Sequence, residues 1–138
     1  MQEEKNTPEL ETDFREILLS DYRMACVSRE MSVLGRKEVL TGKAKFGIFG
    51  DGKELAQIAL CKVFKDGDFR AGYYRDQTFM MAIDQLTSNQ FFSQLYSHTD
   101  VTKDPHSAGR QMNCHFATRM LNDSGDWKTL TDIKNSTS

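Results

Sequence analysis

The sequence lacks an excess of charge of either sign, a long apolar run and any paired-cysteine motif, and each lack removes a class of function. Lys and Arg number 18 against 20 Asp and Glu, for a net charge of -2 at pH 7. A nearly neutral chain offers no basic stripe to a polyanion, so nucleic-acid binding ranks last among the readings. No apolar stretch approaches the length of a membrane span, and no membrane is expected as a partner. The opening Met1-Gln2-Glu3-Glu4-Lys5-Asn6 is polar and acidic, unlike a signal or transit peptide, and the expected location is the cytoplasm. The cysteines, Cys26, Cys61 and Cys114, are odd in number and far apart, with no CxxC. That pattern argues against a disulfide framework and against a zinc site. No metal ligand is assigned within the chain. Cys26 and Cys61 are expected to pack within helices as reduced thiols.

What is present suits one domain with a modest core: hydrophobic residues make up 38% and charged residues 28% of 138 positions. Residues 1–10 read as a flexible lead-in and 11–138 as a single unit, mainly α with long loops. A long helix is predicted to start at Thr12-Asp13, where Asp13 and Glu16 resemble a capping box. Phe14, Ile17, Leu18, Met24, Ala25 and Met31 recur at helical steps, with Asp21 and Ser28 interrupting the stripe. The helix should end between Gly35 and Gly42. Gly42, Gly47, Gly50 and Gly52 then announce a loop, with Gly50-Asp51-Gly52 as a tight turn. A short helix follows over Lys53–Phe64, with Leu55, Ile58, Ala59 and Val63 on its apolar side. Asp66-Gly67-Asp68 is a turn signal, and Phe69–Tyr74 reads as extended. Asp76 stands where it would cap a helix over Gln77–Asp84. Thr87 or Ser88 would cap another, with Phe91, Phe92, Leu95 and Tyr96 on its apolar face. The Met80-Met81 and Phe91-Phe92 pairs read as core. From Ser97 periodicity fades into loops, and Thr129–Ser138 completes no element, the pattern of one part of a longer domain.

Two segments carry chemistry. In Tyr73-Tyr74-Arg75-Asp76, Arg75 precedes the amino end of a helix, where free N–H groups and the helix dipole attract anions. Its guanidinium fork suits a phosphate, and Tyr74 can add a hydroxyl or an aromatic wall. The competing reading is a surface pair between Arg75 and Asp76. In Gly109-Arg110-Gln111-Met112-Asn113-Cys114-His115, Arg110 could meet an anionic substrate group, and His115 could donate a hydrogen bond near a reacting centre. The alternative there is a structural loop. His98 and His106 read as solvated.

In order and spacing these segments resemble one family. Tyr22-Arg23-Met24, Gly52-Lys53-Glu54-Leu55, Tyr74-Arg75-Asp76 and Gly109–His115 are similar to the amino-terminal part of the alpha subunit of the thiamine diphosphate-dependent 2-oxo acid dehydrogenases. The resemblance runs from about Asp13 to the end. It implies the amino-terminal part of an α/β thiamine diphosphate-binding fold. Tyr74 and Arg75 would contact the cofactor, Arg75 at the diphosphate, with His115 as a catalytic residue. Phe46, Ile48 and Arg110 would meet the substrate. The implied activity decarboxylates a small 2-oxo acid and passes the acyl group to a lipoyl acyltransferase. Arg110-Gln111-Met112 and the apolar Ile48 lean toward branched-chain acids, with pyruvate or 2-oxoglutarate as the alternatives. Lys53 stands where the family usually has glutamine, and Asp84 where glycine is common. Gly50-Asp51-Gly52 is not the family's Mg2+ motif, because it follows no strand and lacks the asparagine ligands downstream. Those ligands are expected beyond Ser138, and a beta-type half, fused or separate, would complete the site. The 138 residues alone are expected to bind cofactor poorly and to be inactive. A non-catalytic helical interaction module is the reading from a different class.

Overall fold

The computed structural model describes residues 8–65, 68–116 and 135–137. The chain is mainly helical with long loops, as the sequence predicts. A long helix α1 (Pro8–Leu40) is followed by α2 (Glu54–Val63), a short strand β1 (Phe69–Ala71), α3 (Gln77–Ala82), α4 (Ser88–Leu95) and a second strand β2 (Asn135–Thr137). No described helix is long and apolar enough to cross a membrane.

α1 begins at Pro8, earlier than the Asp13 signal. Proline suits the first helical position, where its missing N–H has no partner to lose and its φ is already helical. Asp13 and Glu16 are therefore exposed positions inside the helix. The helix passes through Gly35, where the absent side chain makes room for the Phe49 ring. It ends at Leu40, inside the predicted window. Gly42, at φ 76, bonds back from its N–H to Val39, and the Lys43 N–H reaches the Glu38 carbonyl at 2.9 Å. That is the glycine-terminated helix end in which two otherwise orphaned carbonyls are satisfied.

The buried face of α1 follows the predicted stripe only in its second half. Phe14, Ile17 and Leu18 are exposed, Met31 is buried as predicted together with Ser28, which lies within the stripe, and the polar Ser32 and Glu38 are buried as well. On α2 Ile58 is buried as predicted, but Leu55 and Val63 are exposed and the polar Glu54 and Gln57 are buried. The polar residues go inward because each finds partners there. Gln77 Nε2 donates to Ser28 O at 3.0 Å and to Ser32 Oγ at 2.9 Å, and the Ser28 and Thr78 hydroxyls meet at 2.6 Å. A buried polar group fully bonded in this way carries little net penalty.

The core joins Met31 of α1, Phe79 and Met80 of α3, Phe91 of α4 and the Ile83 and Leu86 turn, closed by Cys114 and Phe116. Phe64 meets Phe79 edge-on with ring centroids 5.1 Å apart, a favoured aromatic arrangement. Thr87 caps α4 with a complete capping box shared with Gln90. Asp76 stands at the start of α3 but makes no side-chain cap. Cys26 is exposed on its helix, contrary to the packed position expected for it. Asn135–Thr137, in the segment expected to complete no element, pairs in parallel with Phe69–Ala71. Of the expected flexible lead-in at 1–10, residues 8–10 belong to α1, and 1–7, part of the Asp66-Gly67-Asp68 turn and the stretch at 117–134 lie outside the described residues.

Candidate functional site

The site is built where two loops are pressed together, one at Gly50-Asp51-Gly52 and one at Tyr73-Tyr74-Arg75-Asp76. Three inward-facing side chains hold them. Gln77 Oε1 accepts from the Gly50 N–H at 3.3 Å. Gln57 Nε2 donates to the Arg75 carbonyl at 3.0 Å, while its Oε1 accepts from the Phe79 N–H at 2.9 Å. Glu54 accepts the Gly52 N–H at 3.0 Å and a two-pronged bond from Arg29, 2.7 Å on each prong. The Arg29 hydrogen bond, first among the causes, holds the Glu54 carboxyl well below its ordinary range, down to about 2.

Asp76 is claimed from three sides. It pairs with Arg70, accepts the Tyr73 N–H at 2.8 Å and lies 3.4 Å from Gln57 Nε2. The Arg70 side chain is mostly buried, with its guanidinium over the Phe79 ring at 5.1 Å. The surface pair of Arg75 with Asp76 is therefore not formed. Nor does α3 offer an anion site at its amino end. Gln77, Thr78 and Phe79 are buried, and the Phe79 N–H is taken by Gln57. What remains for an anion at this loop is the exposed Arg75 guanidinium itself, 5.6 Å from the Tyr74 ring centroid.

Arg75 opens onto a cavity of about 450 Å³ between the end of α1 and the two loops. Arg36 and Lys53 share its lining with Arg75, and Asp51 is the carboxylate among them. Val39, Leu40, Ile48 and Phe49 form its apolar side. Arg36 reaches Asp51 at 2.6 Å, and that bond lowers the Asp51 pKa. The cavity is within the size range of small-ligand sites and has their mixture of apolar wall and a few charged groups.

The structure brings some of the predicted site residues together and separates others. Arg75 and Ile48 line the cavity. Tyr74 lies under Arg75, and His115 stands beside both tyrosines, with ring centroids 6.2 Å from Tyr73 and 6.3 Å from Tyr74. Phe46 and Arg110 are exposed and are not among the residues lining this cavity. Cys114, next to His115, donates to Gln94 Oε1 at 3.1 Å; burial, with a smaller push from Asp104, raises its pKa and keeps it an inert thiol. His106 is not a solvated residue: its ring meets Phe116 edge-on at 5.3 Å. Sequence reading missed Arg36, Lys53, Val39 and Leu40 as cavity residues. The available signal was the i, i+3 and i+4 spacing of Arg36, Val39 and Leu40 at the end of a helix that leads into the glycine loop.

A helical scaffold here sets an aromatic-backed arginine on a cavity with a mixed cationic and apolar lining, the kind of surroundings that suit a small anionic molecule. Comparison with known families narrows that class. The dehydrogenase E1 component family matches residues 22–130, most of the chain, and the chain belongs to that family. Its members are thiamine diphosphate-dependent 2-oxo acid dehydrogenase components, which are oxidoreductases working with other subunits and a lipoyl acyltransferase. No curated protein and no solved structure matches the chain.

The described residues fit the cofactor and its metal differently. An exposed guanidinium backed by Tyr74 at the edge of a cavity suits a diphosphate. No group of three or more His, Cys, Asp or Glu side chains among the described residues could hold a metal ion.

Proposed function

We propose that this chain forms one wall of a thiamine diphosphate site in a 2-oxo acid dehydrogenase acting on a branched-chain acid. Thiamine diphosphate, when bound, supplies the electron sink that lets a 2-oxo acid lose carbon dioxide. The chain's own residues bind and orient. Arg75 would hold the diphosphate, with Tyr74 packed against its guanidinium. Ile48, with Val39 and Leu40, offers an aliphatic wall to the substrate side chain. His115, held beside Tyr74, donates a hydrogen bond toward the reacting carbonyl. Phe46, next to the cavity-lining Gly47, and Arg110 are the further substrate contacts of this reading.

The observation that carries the proposal is the state of Arg75. It is exposed at a cavity, while the neighbouring Asp76 is committed to Arg70. The apolar side chains exposed along α1, Phe14, Ile17, Leu18 and Tyr22, support a beta-type half, fused or separate, covering that helix. The acyl group would leave on a lipoyl carrier, and the site would be located in the cytoplasm.

The test is titration of thiamine diphosphate into the chain and into Arg75→Gln, followed by activity of the complete assembly with several 2-oxo acids. Weak binding to the chain, lost in Arg75→Gln, and a preference for branched acids are expected. Equal binding by Arg75→Gln would remove the assigned role. Tight stoichiometric binding by the isolated chain would remove the idea that a second half is needed.

A further inference from the structure

We infer that Lys53 is a second anion-binding group of the cavity, holding the carboxylate of a short aliphatic 2-oxo acid against the wall of Val39, Leu40 and Ile48. The inference rests on the reading of Arg75 as the diphosphate contact and adds a separate residue for the substrate.

Charge partnering around the cavity carries the argument. The carboxylates flanking Lys53 and Arg75 in sequence are all committed elsewhere. Asp51 is held by Arg36 at 2.6 Å. Glu54, next to Lys53, takes Arg29 on both oxygens at 2.7 Å and the Gly52 N–H. Asp76, next to Arg75, takes Arg70 and the Tyr73 N–H. Lys53 and Arg75 therefore meet the cavity with no carboxylate partner among the described residues. Two cations left without an internal counter-charge, beside an apolar wall, select a ligand that brings its own negative charges and some hydrocarbon.

The two cations differ in what they suit. A planar guanidinium matches the paired oxygens of a phosphate, and a compact ammonium on a flexible stem suits a single carboxylate. Lys53 stands just before the first turn of α2, whose N–H groups add to the positive potential, and no side-chain cap bond ties it down. A cavity of about 450 Å³ exceeds the needs of one small acid and has room for both an acid and part of a larger cofactor.

The test uses the 138-residue chain, followed by side-chain NMR resonances of lysine and arginine. Four probes are titrated: 3-methyl-2-oxobutanoate, its neutral analogue 3-methyl-2-butanone, pyruvate and inorganic pyrophosphate. Affinities on the order of millimolar are expected for this open site. Lys53→Gln should weaken the branched acid by about tenfold and pyrophosphate by less than about threefold, with Arg75→Gln doing the reverse. The ketone should bind at least about tenfold more weakly than the acid, and pyruvate more weakly than the branched acid. Lys53 is exposed, so its variant should keep the wild-type circular dichroism spectrum. Unchanged acid binding by Lys53→Gln, or equal binding of acid and ketone, overturns the inference and leaves the diphosphate reading intact. Pyrophosphate binding indifferent to Arg75→Gln overturns the diphosphate reading instead, and binding of none of the probes overturns both.

Discussion

The Arg75 carbonyl sits against the α-carbon of Gly50 so closely that a Cβ there would overlap it. Gly50 has no left-handed φ, so glycine is required for room and not for backbone freedom. The contact joins the two loops that bear the candidate site. Gly50→Ala should push Arg75 outward and strain the Gln57–Arg75 bond, with an expected loss of about 1–3 kcal/mol of stability. Denaturant titration reads the stability, and pyrophosphate titration reads the displacement. A variant with wild-type stability and affinity would mean that the two loops move freely past each other.

Gln57 ties the second of these loops to α2. Its amide serves the Arg75 carbonyl and the Phe79 N–H at once, from a buried position on α2. Gln57→Leu keeps much of the volume and removes both bonds. Each buried group left without a partner costs about 1–3 kcal/mol, so a clear fall in melting temperature is expected. Hydrogen exchange at the Phe79 amide should accelerate along with it. Loss of stability without faster exchange at Phe79 would assign the effect to packing instead.

The helices were legible in the sequence, but which faces they bury was only partly so. The stripe on α1 and the apolar side of α2 were read from hydrophobic periodicity; Met31 and Ile58 go inside as read, but so do Ser28, Ser32, Glu54 and Gln57. Periodicity weighs apolar side chains and cannot see that Gln77 and Thr78, more than forty residues away, bond Ser28 and Ser32, or that Arg29 and the Phe79 N–H bond Glu54 and Gln57. The start of α4 was legible as a cap at Thr87 or Ser88, and the structure uses Thr87, with Gln90 completing a capping box. At the site, Arg75 and Ile48 were found from local patterns and a family resemblance. Lys53 and Arg36 were not, because their meaning depends on which carboxylates their neighbours have already taken.

Two helix ends carry the wrong residue for their backbone. Two residues past the end of α3 stands Asp84 at φ 58, and two past the end of α4 stands Ser97 at φ 56. In each, the left-handed residue and the one after it bond back into the last turn: Gln85 to Met80 at 2.8 Å, and His98 to Ser93 at 2.8 Å. This is the same ending that Gly42 supplies to α1, and glycine is the residue favoured there. Asp84→Gly and Ser97→Gly should each raise stability by about 0.5–1 kcal/mol, net of the extra freedom that glycine gives the unfolded chain. Gly42→Ala should lower it by about 1 kcal/mol. Thermal melts of the three variants decide the matter. A destabilised Asp84→Gly would mean that the aspartate side chain contributes more than its backbone conformation costs.

The pH dependence of stability should run through Glu54. Its carboxyl is depressed from 4.5 to about 2, chiefly by the bonds from Arg29. A folded-state pKa below the unfolded one means that the unfolded chain takes up the proton first as pH falls. The pair's contribution is therefore fully present above about pH 4.5 and is lost as pH falls toward 2. Glu54→Gln should melt below the wild type at pH 7, and the gap should close across that interval. Arg29 is half exposed, so added salt should narrow the gap at neutral pH as well. Because the same carboxylate holds the Gly52 N–H, Glu54→Gln should also loosen the glycine turn beside Lys53, measurable as faster exchange of the Gly52 amide. A gap that stays constant from pH 7 to pH 2 would remove the Arg29–Glu54 pair as the source of the acid sensitivity.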